Sequence, residues 1–281
     1  KREDRIVAAK ETLRRALPKW SQADFADFER LGYPVYWLSQ DIASHIRQAK
    51  MVRANANLNH PLAIDCHVDR PRDVTEVTIY TSDHPGLFSG IAGAIALAGG
   101  NIVDARIFTL TNGMAMDAFS VQEVGDWVQE SGGRVFDDAH RIKELERLIE
   151  ATLTGAMRPR EDLAKRSHIL PERSHVFTVP PQVHMDNTVS ATNTVIEING
   201  RDRPGLLFEV TQALTDCSLQ ISTAKIATYG ERAVDVFYVK DIFGLKVENN
   251  SKIEQIGFNL IDSSRQNIRL LGPIVVFCIY I

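Results

Sequence analysis

The sequence predicts an α+β protein, two βαββαβ units in tandem behind a helical connector, and three observations predict it. A five-residue stretch occurs twice, as Asp83-His84-Pro85-Gly86-Leu87 and, 119 residues on (from 83 to 202), as Asp202-Arg203-Pro204-Gly205-Leu206. The same spacing links Ala105 to Ala224 and Ile107 to Ile226, which marks an internal repeat rather than two chance loops. Around each copy the order is apolar strand, Asp-x-Pro-Gly turn, apolar helix, alternating strand, glycine hairpin, alternating strand. The expected boundaries are 1–60 for the connector, 61–187 for the first unit, 188–260 for the second and 261–281 for an atypical tail.

Ile6, Ala9, Leu13, Ala16 and Leu17 recur at helical spacing, and Pro18 stops the run, so residues 4–17 read as an amphipathic helix. Ser21-Gln22-Ala23-Asp24 resembles a capping box, with Phe25, Phe28 and Leu31 on one face of the helix it opens and Gly32 as terminator. The aromatic run Tyr33-Pro34-Val35-Tyr36-Trp37-Leu38 leads into a third helix near 41–53, with Ile42, Ile46 and Ala49 facing inward. Those aromatics suit packing against a neighbouring domain or stacking on a nucleotide base, and packing is the preferred reading.

From Leu62 the period changes to two. Ile64, Cys66 and Val68 alternate with Asp65, His67 and Asp69, and a break at Pro71 and Asp73 separates this strand from a second over Val74 to Tyr80. His67 and Asp65 share a face, yet no third ligand is placed beside them, and a solvated strand face is preferred to a metal site.

Asp83 fits an N-cap, with Pro85 tolerated in the first turn, where its missing N–H removes no helical bond. Leu87, Ile91, Ala94, Ile95 and Ala98 make the stripe of a helix lying on a sheet, and Leu206, Val210, Ala213, Leu214 and Cys217 repeat it. After Gly99-Gly100, one strand face carries Val103, Ala105, Ile107 and Thr109, matched by Ser222, Ala224, Ile226 and Thr228. Thr111-Asn112-Gly113 and Tyr229-Gly230-Glu231 signal hairpins into third strands at Asp117-Ala118-Phe119 and Asp235-Val236-Phe237. A helix follows in the first unit, with Asp137 and Asp138 in its opening turn, Ile142, Leu145 and Ile149 buried and Gly155 at its end. The closing strand is expected over Val176 to Met185, bent at Pro180-Pro181, and residues 158–166 read as a solvated connector rather than a basic recognition patch. In the second unit a strand covers Thr194 to Asn199 and a last helix begins within 249–256, after which the periodicity degrades. The apolar run Ile274 to Ile279 is either an edge strand or an aberrant tail.

A net charge of −4 gives no basic field for nucleic acid or anionic lipid, so neither is expected as a partner. The apolar run Leu270 to Ile281 contains Gly272 and Pro273 and falls short of the ~20 residues a spanning helix needs, so no membrane partner is expected. Cys66, Cys217 and Cys278 are widely spaced without a Cys-x-x-Cys pair, which points to a reducing cytoplasm. The chain opens on Lys1-Arg2-Glu3-Asp4 inside a helical pattern and reads as a piece of something longer. It has no Asp-x-Asp, no Gly-x-Ser-x-Gly elbow, no Walker loop and no Gly-x-Gly-x-x-Gly, so no catalytic or metal-ligating residue is assigned.

The doubled turn is what remains. A helix N-terminus offers unpaired N–H groups and a positive dipole end, and Gly86 or Gly205 admits a ligand carboxylate with no Cβ in its way. Asp83 or Asp202, where not used as a cap, suits an α-ammonium group, so each turn fits a zwitterionic amino acid. The plainer alternative is that Asp caps and Gly permits close packing. Pairing of the two units favours the ligand reading, because it brings both turns near a shared interface.

These residues resemble ACT domains, ferredoxin-like small-molecule sensors appended to many metabolic enzymes. Asp83 to Phe88, Ile91 to Ala96, Asn101 to Ile107 and Asp202 to Leu207 are similar to the C-terminal half of the bifunctional uridylyltransferase/uridylyl-removing enzymes acting on nitrogen-regulatory protein PII. Tyr33 to Leu38 resembles the segment after that family's HD domain, and the likeness covers residues 20–256. It implies a regulatory part whose effector is glutamine and whose protein partner, PII, is met by nucleotidyltransferase and HD domains absent here. Glutamine would favour removal of uridylyl groups and suppress their transfer. The resemblance also implies Mg2+ for those absent domains and no cofactor in this chain, with ACT–ACT pairing. The ligand-binding residues it implies are Asp83, Pro85, Gly86, Leu87 and Asn101 in the first unit, and Asp202, Pro204, Gly205, Leu206 and Gln220 in the second. His84 and Arg203 differ within the turn, and the tail after Ile256 departs from the family. A stand-alone tandem ACT protein acting through protein contacts is the alternative.

Overall fold

The computed structural model describes residues 1–59, 61–123, 134–167, 182–202, 205–229, 232–265 and 276–278. The chain forms two compact units. A helical unit comprises Lys1–Asp65, Thr78–Asp83 and Ile107–Ala118, and a sheet unit comprises Cys66–Val77, His84–Arg106 and Phe119–Ile281.

In the helical unit, α1 (Arg2–Ala16), α2 (Gln22–Glu29), α3 (Pro34–Ser39) and α4 (Ile42–Asn55) follow one another. The capping box forms as expected, Asp24 N–H donating to Ser21 Oγ (3.2 Å) and Ser21 N–H to Asp24 Oδ2 (2.8 Å). Pro34, whose fixed φ suits a first helical position, turns the aromatic run into α3. Tyr36 and Trp37 are buried with Leu13, Leu17, Phe25, Phe28, Leu110 and Met116, so packing is the role these aromatics play. The polar tips are satisfied: Trp37 Nε1 donates to Gly32 O (3.0 Å) and Tyr36 Oη to Gln48 Oε1 (2.8 Å). α4 corrects the periodicity. Ile42 is exposed at 36%, while Ser44, His45 and Gln48 are buried beside Ala49. Gln48 lies inside because it serves the Tyr36 hydroxyl and exchanges amide bonds with Gln40.

β1 (Ala63–Asp69) and β2 (Val74–Ser82) are joined by a single 3-10 turn at Arg70–Arg72. The first repeat continues with α5 (Leu87–Leu97), β3 (Gly100–Arg106), β4 (Met114–Glu123), the short β5 (Arg134–Val135) and α6 (Ala139–Leu153), followed by α7 (Pro159–Ser167). The second repeat has β6 (Gln182–Asp186), β7 (Thr194–Arg201), α8 (Leu206–Asp216), β8 (Leu219–Tyr229), β9 (Arg232–Asp241) and α9 (Asn250–Arg265), and β10 (Val276–Cys278) ends the described chain. The strand order is β1-β2-β4-β3-β8-β9-β7-β6-β10, with β5 on β4.

β3 and β8 lie antiparallel, Asp104 opposite Ala227 and Arg106 opposite Lys225, so the repeats pair within one chain along these two strands. In the sheet unit α5 and α8 also pack closely. A Cβ on Gly93 would stand 2.9 Å from the Phe208 ring and 2.5 Å from Pro159 Cβ, a gap that only glycine leaves open. Phe88, Phe119 and Phe237 fill the core beneath, with ring centroids 5.4 Å apart for Phe88–Phe119 and 6.4 Å for Phe88–Phe237. The expected stripes on α5 and α8 are buried from Leu87 to Ile95 and from Leu206 to Leu214.

Four expectations are corrected. Of the closing strand expected over Val176 to Met185, residues 176–181 lie outside the described residues. The remainder begins β6, which pairs antiparallel with β7 (Val183 opposite Ile198, Met185 opposite Ile196). The strand beside β2 is instead β1, and β6 takes the same place beside β7, so each repeat has its flanking strand in front rather than behind. Residues 159–167 are a helix, not a connector: Pro159 opens it and Glu161 and Asp162 complement its dipole. α9 runs beyond Ile256 to Arg265, because Ile256, Leu260 and Ile261 continue one buried face. Finally, a register shift between Ile221 and Thr223 interrupts the alternation assumed for β8, so Leu219 is buried as well as Ala224 and Ile226. Of the run expected as either an edge strand or an aberrant tail, residues 276–278 form β10, parallel to β6, and the rest lies outside the described residues.

Candidate ligand site at the doubled turn

The helices after both turns begin in the same way. Gly86 (φ +84°) and Gly205 (φ +81°) are the N-caps of α5 and α8, both left-handed and without a side-chain cap. The expected aspartate caps are therefore not formed. The left-handed step reverses the chain immediately before the first helical residue and leaves each aspartate three positions upstream, where other partners take its carboxylate. Asp83 Oδ2 accepts from Thr109 Oγ1, and Asp83 N–H donates to Gly113 O (3.2 Å). Asp202 Oδ2 accepts from Asn101 Nδ2 (2.9 Å). Asn101 lies on β3 of the first repeat and Asp202 in the turn of the second, so the β3–β8 pairing assembles this contact from both repeats.

Asp83, Pro85, Gly86, Asn101, Asp202, Gly205 and Gln220 all keep some exposure. The side chains of Leu87 and Leu206 are buried and anchor the two helices. Gln220, the counterpart of Asn101, is half-buried on β8 opposite Lys240. Pro204 and Arg203 lie outside the described residues. A Cβ on Gly205 would meet no described atom within 4 Å, whereas one on Gly86 would meet Thr215 Cγ2 at 3.6 Å.

Two site residues were missed by the sequence reading. Asp117 on β4 and Asp235 on β9 occupy equivalent places and are both buried. Burial, together with the charge of Asp83, pushes the Asp117 carboxyl well above the ordinary carboxylate range against a bond from Phe108 N–H (3.3 Å). Burial likewise pushes Asp235 up to about 7, opposed by a bond from Ala227 N–H and reinforced by the charge of Asp202. Among the described residues, the buried Asp235 Oδ1 has no hydrogen-bond partner. For Asp235 a signal was available, since it takes an inward position between Ala233 and Phe237 in an alternating strand; β4 is buried on both faces around Asp117, so alternation does not single that residue out.

The chemistry on offer is charge recognition. At the second turn a carboxylate, oriented by an amide and backed by a second carboxyl group, stands beside a helix N-terminus, whose first N–H groups have no intrahelical acceptor. That is a place for a cation and an anion side by side. Among the described residues, no group of three or more His, Cys, Asp or Glu side chains is arranged to hold a metal ion.

The ACR family N-terminal ACT domain matches residues 189–267, so the chain contains an ACT domain within its α+β fold. Over most of its length the chain is similar to part of the bifunctional uridylyltransferase/uridylyl-removing enzymes. It is 52% identical over 252 residues to such an enzyme of Azospirillum brasilense, 46% over 255 to that of Rhodospirillum rubrum and 44% over 267 to that of Gluconobacter oxydans. These matches cover 90%, 91% and 93% of this chain but 26%, 26% and 27% of the relatives, so the chain spans about a quarter of their length.

Proposed function

We propose that this chain is the glutamine-sensing regulatory segment of a cytoplasmic bifunctional uridylyltransferase/uridylyl-removing enzyme that modifies protein PII. The observation that carries the reading is the bond from Asn101 to Asp202 beside the left-handed Gly205, made across the β3–β8 pairing. The ligand's α-ammonium group binds the turn aspartate, and its α-carboxylate takes N–H groups of the first helical turn. The first turn repeats the backbone with Asp83 and Gly86. Neither uridylyl transfer nor its reversal has residues here; both lie in domains that the relatives' extra length accommodates, and any Mg2+ belongs to them. Regulation then requires glutamine to bind the transferring and removing states of the whole enzyme with different affinity, since equal binding shifts nothing.

Calorimetric titration of the chain with glutamine tests this directly. Saturable heat at or below millimolar ligand is expected. A folded chain, verified by circular dichroism, that gives no heat at millimolar glutamine contradicts the reading.

A further inference from the structure

Within the helical unit, Asp83 is tied twice to the hairpin that follows β3, through the bond from Thr109 Oγ1 and through its own N–H to Gly113 O. That hairpin is in turn bonded to the helices. Thr111 N–H donates to Leu31 O (3.0 Å) and Thr111 Oγ1 to Arg30 O (2.8 Å), both at the end of α2. The Phe108 ring stands edge-on to Tyr36 of α3 at 5.5 Å, and the Phe108 N–H holds Asp117. Leu110 and Met116 are buried in one cluster with Leu13, Phe28 and Trp37. The second turn has a different neighbour, because its aspartate is held by Asn101 within the sheet unit.

We propose that the hairpin at residues 107–116 is a transmission element, so that an amino acid bound at the first turn, and not one bound at the second, alters the helices of the connector. The inference rests on the amino-acid reading of the turns and adds a division of labour between them. A ligand ammonium group competes with Thr109 Oγ1 for the Asp83 carboxylate. Once Thr109 is released, the strain falls on the bonds from Thr111 to α2 and on the Phe108–Tyr36 contact. Closely packed elements of this kind answer by shifting between discrete arrangements, not by gradual deformation. Thr109 is thus a positioning residue: it acts on the helices through Asp83 and the hairpin.

Hydrogen exchange of the full 281-residue chain with and without glutamine, read amide by amide over α2 to α4 and paired with calorimetry, tests this. Wild type and Asp202→Asn are expected to change exchange in these helices on adding glutamine. Asp83→Asn is expected to lose that change while still binding at the second turn. Thr109→Val, which removes the hydroxyl and keeps the β-branched shape, is expected to bind at both turns yet lose most of the helical response. Thr109→Ser, which keeps the hydroxyl, is expected to retain it, so a response absent from Val and present in Ser is not a folding defect. The inference fails if glutamine binds and the helices respond equally in Thr109→Val, or if they respond in Asp83→Asn. Absence of heat in the wild type overturns the amino-acid reading and this inference with it, whereas heat without a helical response overturns the inference alone.

Discussion

The two turns share a backbone and differ in what their aspartates touch. Asp83 is held by Thr109, a threonine of its own repeat that belongs to the helical unit, and Asp202 by Asn101, an asparagine of the other repeat. A duplicated sequence therefore gives equal local geometry, φ +84° and +81° at the two glycines, without giving equal sites. Geometry follows the turn residues, while coupling follows whatever each turn is packed against.

The largest effect that sharpens this comparison is on pH dependence. Asp235 is lifted from 3.8 to about 7 by burial, so its neutral form stabilises the folded state. The unfolded chain gives up this proton near pH 3.8 and the folded chain near 7. The contribution is therefore fully present below pH 3.8 and is lost as pH rises through about 7. Asp235→Asn should flatten that decline in melting temperature between acid and neutral pH and raise the melting temperature at neutral pH. Asp117→Asn should act in the same direction, since burial raises its carboxyl too.

Next in size is ligand affinity. Asp202→Asn removes a charged partner worth about 1.5–3 kcal/mol, so binding at the second turn should weaken by roughly 10- to 100-fold, with the first turn unchanged in a two-site titration. Gly86→Ala and Gly205→Ala each force a left-handed backbone on a residue with a Cβ, at about 1–2 kcal/mol. Near-equal losses in urea melts would confirm that the turns match in backbone; a loss at only one would break the symmetry. The smallest change is Asn101→Ala, which deletes the hydrogen bond that orients the Asp202 carboxylate and should lower affinity at the second turn alone, by less than Asp202→Asn does.

Much of this fold was legible because it depends on local pattern. The stripes on α5 and α8, the capping box at Ser21 and the hairpin at Gly113 each follow from a few neighbouring residues. What could not be read depends on partners distant in sequence. Val183 and Met185 alternate equally well in either repeat's sheet, and only the register with Ile198 and Ile196 assigns them to the second. The contact of Asn101 with Asp202 needs the β3–β8 pairing, to which neither residue's neighbours point. Asp117 and Asp235 mark the third strands in the sequence, but their burial behind the turns depends on the helices and strands packed over them. Past Ile256, the polar stretch Asp262 to Arg265 hid the continuing face of Leu260 and Ile261. In the candidate site, the turn, its glycines and Asn101 were legible in the sequence, whereas the bond from Asn101 to Asp202 and the buried Asp117 and Asp235 were not.

On the proposed reading, both turns are amino-acid sites built on one backbone. Comparing the calorimetric stoichiometry of glutamine binding in wild type and Asp202→Asn tests it most directly. Two sites per chain are expected in the wild type and, at the ligand concentrations that saturate the first turn, one in the variant. An unchanged stoichiometry and affinity in Asp202→Asn would contradict it.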